Sequence, residues 1–562
     1  MIWLGFVLAT AYLAPNHYLP WLSFHQELLA ALAFLPIMMW ALNAKVPFPS
    51  EAYFFALLAT VPIIQLWVGK IEFSGDAYVA FLYILGFSAS IAAGNLLVSL
   101  QRPADGLRAL TPVFLCFVFS AIISVGIALH QWLGLELSSV FLVEMRGGAR
   151  PYGNLAQANQ LATLILLGQV GIIFLYELRL IKGFVACISG VVLTIGLAMT
   201  QSRMILMALV VIWAALILLK NRSQLRVSIL SVLTLSALFF VISWVWPLLS
   251  EALLLPVKSS LGTRFGQDLR ITLWASMFDA ISRSPLFGYG WNQISLAQQA
   301  VALDHPASHW FFNSAHNIIL DIALWAGLPI AFLVVTGLIA WILHQVRNCR
   351  DPLSWCALLA ILLVLCHAMV EHPLAYAYFL LPTGLLVGAV GAMSAKQSDS
   401  SRPSKFIIPR SFRLSVAAGG FLLFALIVSE YFPLEQDWQN IRFEQARIGP
   451  EHHGTTPETY ILTQLREDSH FARTEPHRNM SQEKIEWMRK VSERFAWAAS
   501  SFKYAQALAL NGKPEAAAAT LEKLCKIQSE FRCFLALKKW KELAVEEYPE
   551  FRSVKLPAGT GR

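Results

Sequence analysis

About thirteen stretches of this chain are apolar for the length that crosses a bilayer, and that repetition restricts the fold more than any other feature. They lie near 2–14, 27–43, 51–68, 77–99, 109–131, 159–176, 183–200, 204–219, 227–247, 316–343, 355–371, 374–394 and 414–432. A span needs roughly 17–25 mostly apolar residues. The first stretch is short, and the pair around Arg203 is tightly joined. Hydrocarbon offers no partner to backbone N–H and C=O groups, so each stretch must be a helix and no extended sheet is expected. Composition agrees. The chain is 57% hydrophobic and 14% charged over 562 residues, whereas soluble domains are about a quarter charged. The 18 Trp and 36 Phe suit lipid-facing and interfacial positions. Met1 leads directly into apolar sequence without a basic leader or small-residue cleavage site, so the first stretch reads as a permanent anchor. The expected class is an all-α polytopic membrane protein with membrane lipids as its surroundings.

Loop charge sets the expected orientation. One set of loops holds Lys45, Arg102, Arg108, Arg179, Lys182, Lys220, Arg222, Arg226, Arg347, Arg350, Lys396, Arg402, Lys405, Arg410 and Arg413. The opposite set is poorer, with Lys70, Arg146, Arg150, Arg203, Lys258, Arg264, Arg270 and Arg283. The first set is cytoplasmic by the positive-inside rule. The net charge of +8 is explained by this sorting, and no nucleic-acid partner is expected. The N-terminus is then cytoplasmic and everything beyond about residue 434 is outside. Residues 395–413, rich in Ser and basic side chains, read as a cytoplasmic linker. Residues 1–433 form the expected transmembrane domain and 434–562 a separate helical one. Within the latter, 495–527 reads as a helical hairpin turning at Asn511-Gly512-Lys513-Pro514 and resembles one tetratricopeptide unit. Cys525 and Cys533, close together on the oxidising side, are a candidate disulfide, with two free thiols as the alternative.

Four polar patches fall on the outer side. The longest interruption, 248–315, carries Lys258, Arg264, Arg270, Arg283, His305 and His309 and ends at Ser314-Ala315-His316-Asn317. An imidazole at the water–bilayer boundary can take a proton near neutral pH. His305 and His309, mid-loop, are expected to matter less. Residues 151–160, Pro-Tyr-Gly-Asn-Leu-Ala-Gln-Ala-Asn-Gln, bring amides that suit sugar hydroxyls or phosphate, one of them serving as a helix cap. Thr200-Gln201-Ser202-Arg203 places a guanidinium at the membrane edge, where it can grip phosphate bidentately. Glu371-His372-Pro373-Leu374-Ala375-Tyr376 is wedged between two spans. The bland alternatives are snorkelling arginines and an interfacial histidine bonded to a carbonyl. No Walker loop, Asp-x-Asp pair or Gly-x-Ser-x-Gly accompanies these patches, which disfavours a bound divalent ion, although the carboxylates of Asp268, Asp279 and Glu371 leave that point open. ATP and nucleotide-sugars do not reach an outer membrane face, so an activated donor there should be lipid-linked.

These residues carry a resemblance. Pro285-Leu286-Phe287-Gly288-Tyr289-Gly290 after the Arg270-led helix, then His316-Asn317-x-x-Leu320 and Gly327-Leu328-Pro329, look like the O-antigen ligase/polymerase superfamily. Gly153-Asn154-Leu155-x-Gln157-x-Asn159-Gln160, Glu371-His372-Pro373-Leu374 with Tyr376, and Pro15-Asn16-His17-Tyr18-x-Pro20-Trp21 narrow it. They resemble bacterial protein O-oligosaccharyltransferases of the PglL type, over nearly the whole chain. The resemblance implies a multi-pass enzyme of the bacterial inner membrane that moves a glycan en bloc from undecaprenyl pyrophosphate to Ser or Thr of exported proteins such as pilins, at the periplasmic face. It implies metal-independent chemistry, a required His316, and required Gln157, Arg203 and Arg270. Arg264, Asn159, Asn317, Glu371, His372 and Tyr376 complete the candidate binding residues. Two positions depart from the family pattern: His372 stands where Tyr is usual, and Trp325 where an acidic residue is usual. The alternative within the superfamily is transfer to lipid A-core, or polymerisation of polysaccharide. From a different class, a transporter would show inverted repeats, and none is visible.

Overall fold

A computed structural model describes the chain except residues 45, 47, 103–105, 136–139, 146–148, 256–268, 398–408, 449–453 and 558–562. Among the described residues the regular structure is helical and no strand forms. Among the described residues eleven helical stretches, Ser50–Trp67 counted as one, are long and apolar enough to cross a membrane, and Ile2–Leu13 and Pro352–Ala368 are shorter apolar helices. Two expected runs are interrupted. The run 51–68 divides into Ser50–Leu58 and Thr60–Trp67. The run 316–343 divides at Gly327 into Ile318–Ala326 and Leu328–Asn348. The second break has a backbone cause, since Gly327 sits at φ +86°, a region closed to most side chains. Hydropathy averages over such a break and cannot register it.

The chain divides into two compact units. The first comprises Met1–Ala59, Leu82–Gln267 and Thr336–Leu422. Its interior is a single apolar core in which Trp355, Tyr378, Phe114, Phe117, Phe174 and Phe379 are fully buried. Lipid tails are as apolar as leucine, so close backbone approach, rather than water exclusion, drives such packing. A Cβ on Gly94 would meet the Leu385 carbonyl oxygen at 1.9 Å, and one on Gly388 would meet that of Ile91 at 1.8 Å. About one turn before the Gly94 contact the Ser90 hydroxyl donates to the Leu381 carbonyl. Elsewhere the Trp132 indole donates to Ser250 Oγ at 2.9 Å, and that of Trp355 to the Ala215 carbonyl at 3.2 Å.

The second unit comprises Thr60–Phe81, Asp268–Val335 and Leu423–Arg562. Its C-terminal helices are Thr463–Arg473, Gln482–Arg494, Ala498–Leu510, Pro514–Ile527 and Glu530–Glu546. The hairpin turn at 511–513 closes through Gly512, at φ +74°. Met488, Val491, Ala505, Leu521 and Trp540 fill the core, and Phe73 from the first segment joins them. Polar side chains tie the three segments together. Arg494 grips Asp76 through two 2.7 Å bonds, to which Gln293 Nε2 adds a third at 3.1 Å. Glu430 accepts from the backbone N–H groups of Tyr460, Ile461 and Leu462 at 2.8–3.1 Å. Cys525 and Cys533 are joined by a disulfide, and Cys116, Cys187, Cys349, Cys356 and Cys366 are free thiols.

Candidate active site

Within the first unit the amide patch folds as a turn before helix Ala158–Glu177, with Gly153 at φ +60° and Ala156 at φ +56°. Gln131 shapes this turn. Its Oε1 accepts from the N–H groups of Tyr152 (3.1 Å) and Gly153 (2.9 Å), while Nε2 donates to the carbonyls of Gly153 (2.9 Å) and Val143 (2.8 Å). Asn154 is spent on the fold too. It donates to the Leu13 and Phe141 carbonyls at 2.7 and 2.8 Å and accepts from the Val143 N–H at 3.1 Å. Gln160 accepts from the Tyr378 hydroxyl at 2.7 Å.

Gln157 and Asn159 instead meet the Glu371 patch. Asn159 Nδ2 donates to Glu371 Oε1 at 2.9 Å and Gln157 Nε2 donates to Oε2 at 3.4 Å. Asn159 Oδ1 accepts from Ser202 Oγ at 2.8 Å, and Arg150 Nη1 lies 3.5 Å from the same oxygen. That guanidinium also donates to the Thr200 carbonyl at 3.1 Å. Asn159 therefore joins three of the sequence patches at one point. His372 Nδ1 is 3.9 Å from Glu371 Oε2, and Nε2 is 3.5 Å from the Tyr376 hydroxyl. Its ring stacks on Tyr376 at 5.8 Å. Arg203 follows Gln201, which sits at φ +45°, and forms the N-cap position of helix Met204–Ser223. Gln157, Asn159, Glu371, His372 and Tyr376 are thus brought together. Arg150 and Ser202 join them, although the candidate binding residues read from the sequence did not include either.

Within the second unit, His316 is held by a frame built from Ser314, Asp321 and Trp274. Its backbone is left-handed, at φ +54°. Its N–H donates to Ser314 Oγ at 2.9 Å, and that hydroxyl donates to Asp321 Oδ2 at 2.7 Å. Asp321 Oδ1 accepts from the Ala315 N–H at 2.6 Å, while the Trp274 indole donates to the Ala315 carbonyl at 2.8 Å. The imidazole packs edge-on against Phe312 at 5.8 Å. Asn317, expected to bind substrate, uses Oδ1 to cap the next helix, accepting from Ile319 and Leu320 N–H at 3.0 and 3.2 Å. Asp321 was missed in the sequence. It lies one helical turn before Trp325, so the helix keeps a carboxylate despite that departure.

The glycine motifs also acquire a structural meaning. Tyr289 and Gly290 N–H donate to the carbonyls of Leu324 (2.7 Å) and Trp325 (3.2 Å), and Leu328 N–H donates to that of Pro285 (2.7 Å). Gln65 clasps the same place, accepting from Trp291 N–H at 2.9 Å and donating to the Trp325 carbonyl at 2.7 Å. His305 and His309 are not free mid-loop residues. His305 Nε2 is 2.9 Å from Asp279 Oδ2, and His309 N–H donates to the Lys526 carbonyl at 3.0 Å. Bonds from Arg283, and then from His305, hold the Asp279 carboxyl below its ordinary range. Arg270 lies in helix Leu269–Arg283, of which its side chain is outside the described atoms, and Arg264 lies outside the described residues.

Three family models match parts of the chain: protein glycosylation ligase at residues 151–176, O-antigen ligase at 188–335, and the C-terminal part of the virulence factor membrane-bound polymerase at 355–527. A general O-oligosaccharyltransferase of Acinetobacter baylyi is 28% identical over 524 residues, 91% of this chain and 89% of the relative. A ComP-specific O-oligosaccharyltransferase of the same organism is 27% identical over 411 residues, 70% of this chain and 71% of the relative.

Proposed function

We propose that this chain, which resembles O-oligosaccharyltransferases over most of its length and matches the O-antigen ligase model at 188–335, transfers a preassembled glycan from undecaprenyl pyrophosphate to Ser or Thr of exported proteins such as pilins. The site faces the periplasm of a bacterial inner membrane, with the N-terminus cytoplasmic and the C-terminal domain periplasmic. The supporting observation is the fixed presentation of His316. A left-handed backbone in a residue other than glycine costs free energy and persists only where its surroundings over-determine it. Here Ser314, Asp321 and Trp274 do so through bonds to the backbone and hydroxyl of residues 314–316.

In this reading His316 accepts the proton of the attacking hydroxyl, which forms the new glycosidic bond as the bond to the pyrophosphate oxygen breaks. Arg203, Arg264 and Arg270 stabilise the departing charge. The amides of Gln157 and Asn159, with Glu371, hold the polar groups of the donor, and His372 and Tyr376 line the same place. No metal is assigned to the reaction in this reading, in which the two oxygens of Glu371 accept from the amides of Asn159 and Gln157. The O-antigen ligase match at 188–335 favours a second reading, with lipid A-core as acceptor. The full-length protein, reconstituted with a lipid-pyrophosphate glycan, is offered a pilin and a rough lipopolysaccharide side by side. Intact mass should show the glycan on the pilin, undiminished by EDTA. Label appearing only on the lipopolysaccharide would replace the reading by the second one.

A further inference from the structure

We propose that the loop closed by Cys525–Cys533 is a positioning device for the segment that carries His316, so that glycan transfer depends on the oxidation state of this cysteine pair. The proposal rests on the reading of His316 as the base.

Helix Pro514–Ile527 ends beside the disulfide, and the carbonyls of a last helical turn have no partner in their own helix. The Lys526 carbonyl finds its partners outside, in the His309 N–H at 3.0 Å and Ser308 Oγ at 3.3 Å. Lys526 Nζ reaches back to the His305 carbonyl at 3.0 Å. His309 adds Nδ1 at 3.4 Å from the Gln528 carbonyl and Nε2 at 3.7 Å from Glu530. Every one of these grips comes from residues 526–530, between the two cysteines. Gln528, 2% exposed, fixes the loop to its own domain by donating to the Ala496 carbonyl at 2.7 Å. Beyond His309 the segment is held in turn by Phe311 against Trp497 at 5.0 Å, and by Gln298, which donates to the Trp310 carbonyl and accepts from the Phe312 N–H. Four residues later comes His316. The domain core around Leu524, Leu537 and Phe502 can hold the helices without the covalent bond. What the bond adds is one conformation of 526–530, and hence one position of 305–309.

Reduction by dithiothreitol is balanced within the pair: the dithiol gives two electrons and two protons, closes to its own cyclic disulfide, and leaves Cys525 and Cys533 as thiols. The other cysteines are free thiols, so the reagent acts on this bond alone among the described residues. The test uses the full-length protein in nanodiscs, oxidised and reduced, and reads amide hydrogen exchange together with single-turnover transfer. Peptides covering 302–316 should exchange faster once reduced, while 498–510 stays protected. The rate constant for transfer should fall about tenfold with the donor KM unchanged, as misplacing a catalytic group predicts. Reoxidation should restore both. Cys525→Ser/Cys533→Ser should match the reduced protein and ignore dithiothreitol, and Lys526→Met, which keeps the disulfide, should shift exchange in the same direction. Unchanged exchange at 302–316 overturns the proposal, and so does faster exchange with an unaltered rate. His316→Asn, measured alongside, separates these outcomes from failure of the underlying reading: full activity of that variant removes the base assignment itself.

Discussion

His316 presents its imidazole from a backbone angle of +54°, and that angle selects the informative substitution. Asn tolerates the left-handed region far better than most residues, so His316→Asn should insert and fold normally while losing the proposed proton acceptor. General base help is worth roughly 10²–10⁴-fold, and single-turnover transfer with saturating donor should fall by that order. Asp321 acts one step removed. Asp321→Ala leaves the Ser314 hydroxyl and Ala315 N–H without their acceptor, an unsatisfied pair that costs about 1–3 kcal/mol. The expected result is a lower rate with little change in donor KM. A variant with normal kinetics would show that the frame does not govern the imidazole.

At the scale of elements, contacts made through glycine decide which helices pack together. Gly388 approaches the backbone of Ile91 and Asn95 too closely to admit a Cβ. Gly388→Ala must push two helices apart and should cost about 1–3 kcal/mol, the usual range for overpacking. Gly126 has nothing within 4 Å of its would-be Cβ. Gly126→Ala, in the exposed middle of helix Thr111–Trp132, should be neutral or stabilising by roughly 0.5–1 kcal/mol. Thermal unfolding of the two variants in one detergent checks the contrast, and similar shifts would refute it. Gly327 combines a +86° φ with a would-be Cβ only 2.2 Å from the Leu286 carbonyl oxygen. Its replacement should therefore unlace 285–291 from 324–328 and lower transfer as well as stability.

At the scale of the whole molecule, buried charges join segments that are far apart in the chain. Asp76 is 4% exposed and its partner Arg494 lies 418 residues later. Removing one member of a buried pair typically costs 3–5 kcal/mol, so Arg494→Met should loosen the second unit more than any surface charge change, as limited proteolysis would report. Asp468 gives the same unit a pH dependence. Burial pushes its carboxyl up to about 7, against the pull of Arg494. A carboxyl whose folded pKa exceeds its unfolded one favours folding while protonated. Its contribution is full below about pH 4 and is lost as pH rises to 7. Between pH 5 and 8 the wild type should lose on the order of 1–3 kcal/mol from this group, and Asp468→Asn should flatten that slope in thermal unfolding. Orientation belongs to this scale too: reporter fusions at Lys405 and at the C-terminus should report opposite sides, and a shared side would refute the assigned topology.

The sequence by itself determined that the chain is a helical membrane protein, because an apolar run in hydrocarbon has no other way to satisfy its backbone. It also carried the polar patches around Gln157, Arg203, His316 and Glu371, since amides, guanidinium groups and imidazole are costly at a membrane and stand out against apolar sequence. It did not reveal which amides were free to act. Asn154 and Asn317 look the same as Asn159 in the sequence, yet tertiary packing directs the first two to backbone groups and the third to Glu371. It hid Asp321, whose partners are loop atoms placed by a left-handed turn, and it showed Arg150 only as one of the few outer-side arginines, without its partners in the 200–201 turn. It read 316–343 as one span because hydropathy sums side chains, whereas the break at Gly327 is a backbone event. The anchoring of 305–309 on residues 526–530 was likewise decided only in three dimensions, by a carbonyl that a helix end leaves without a partner of its own.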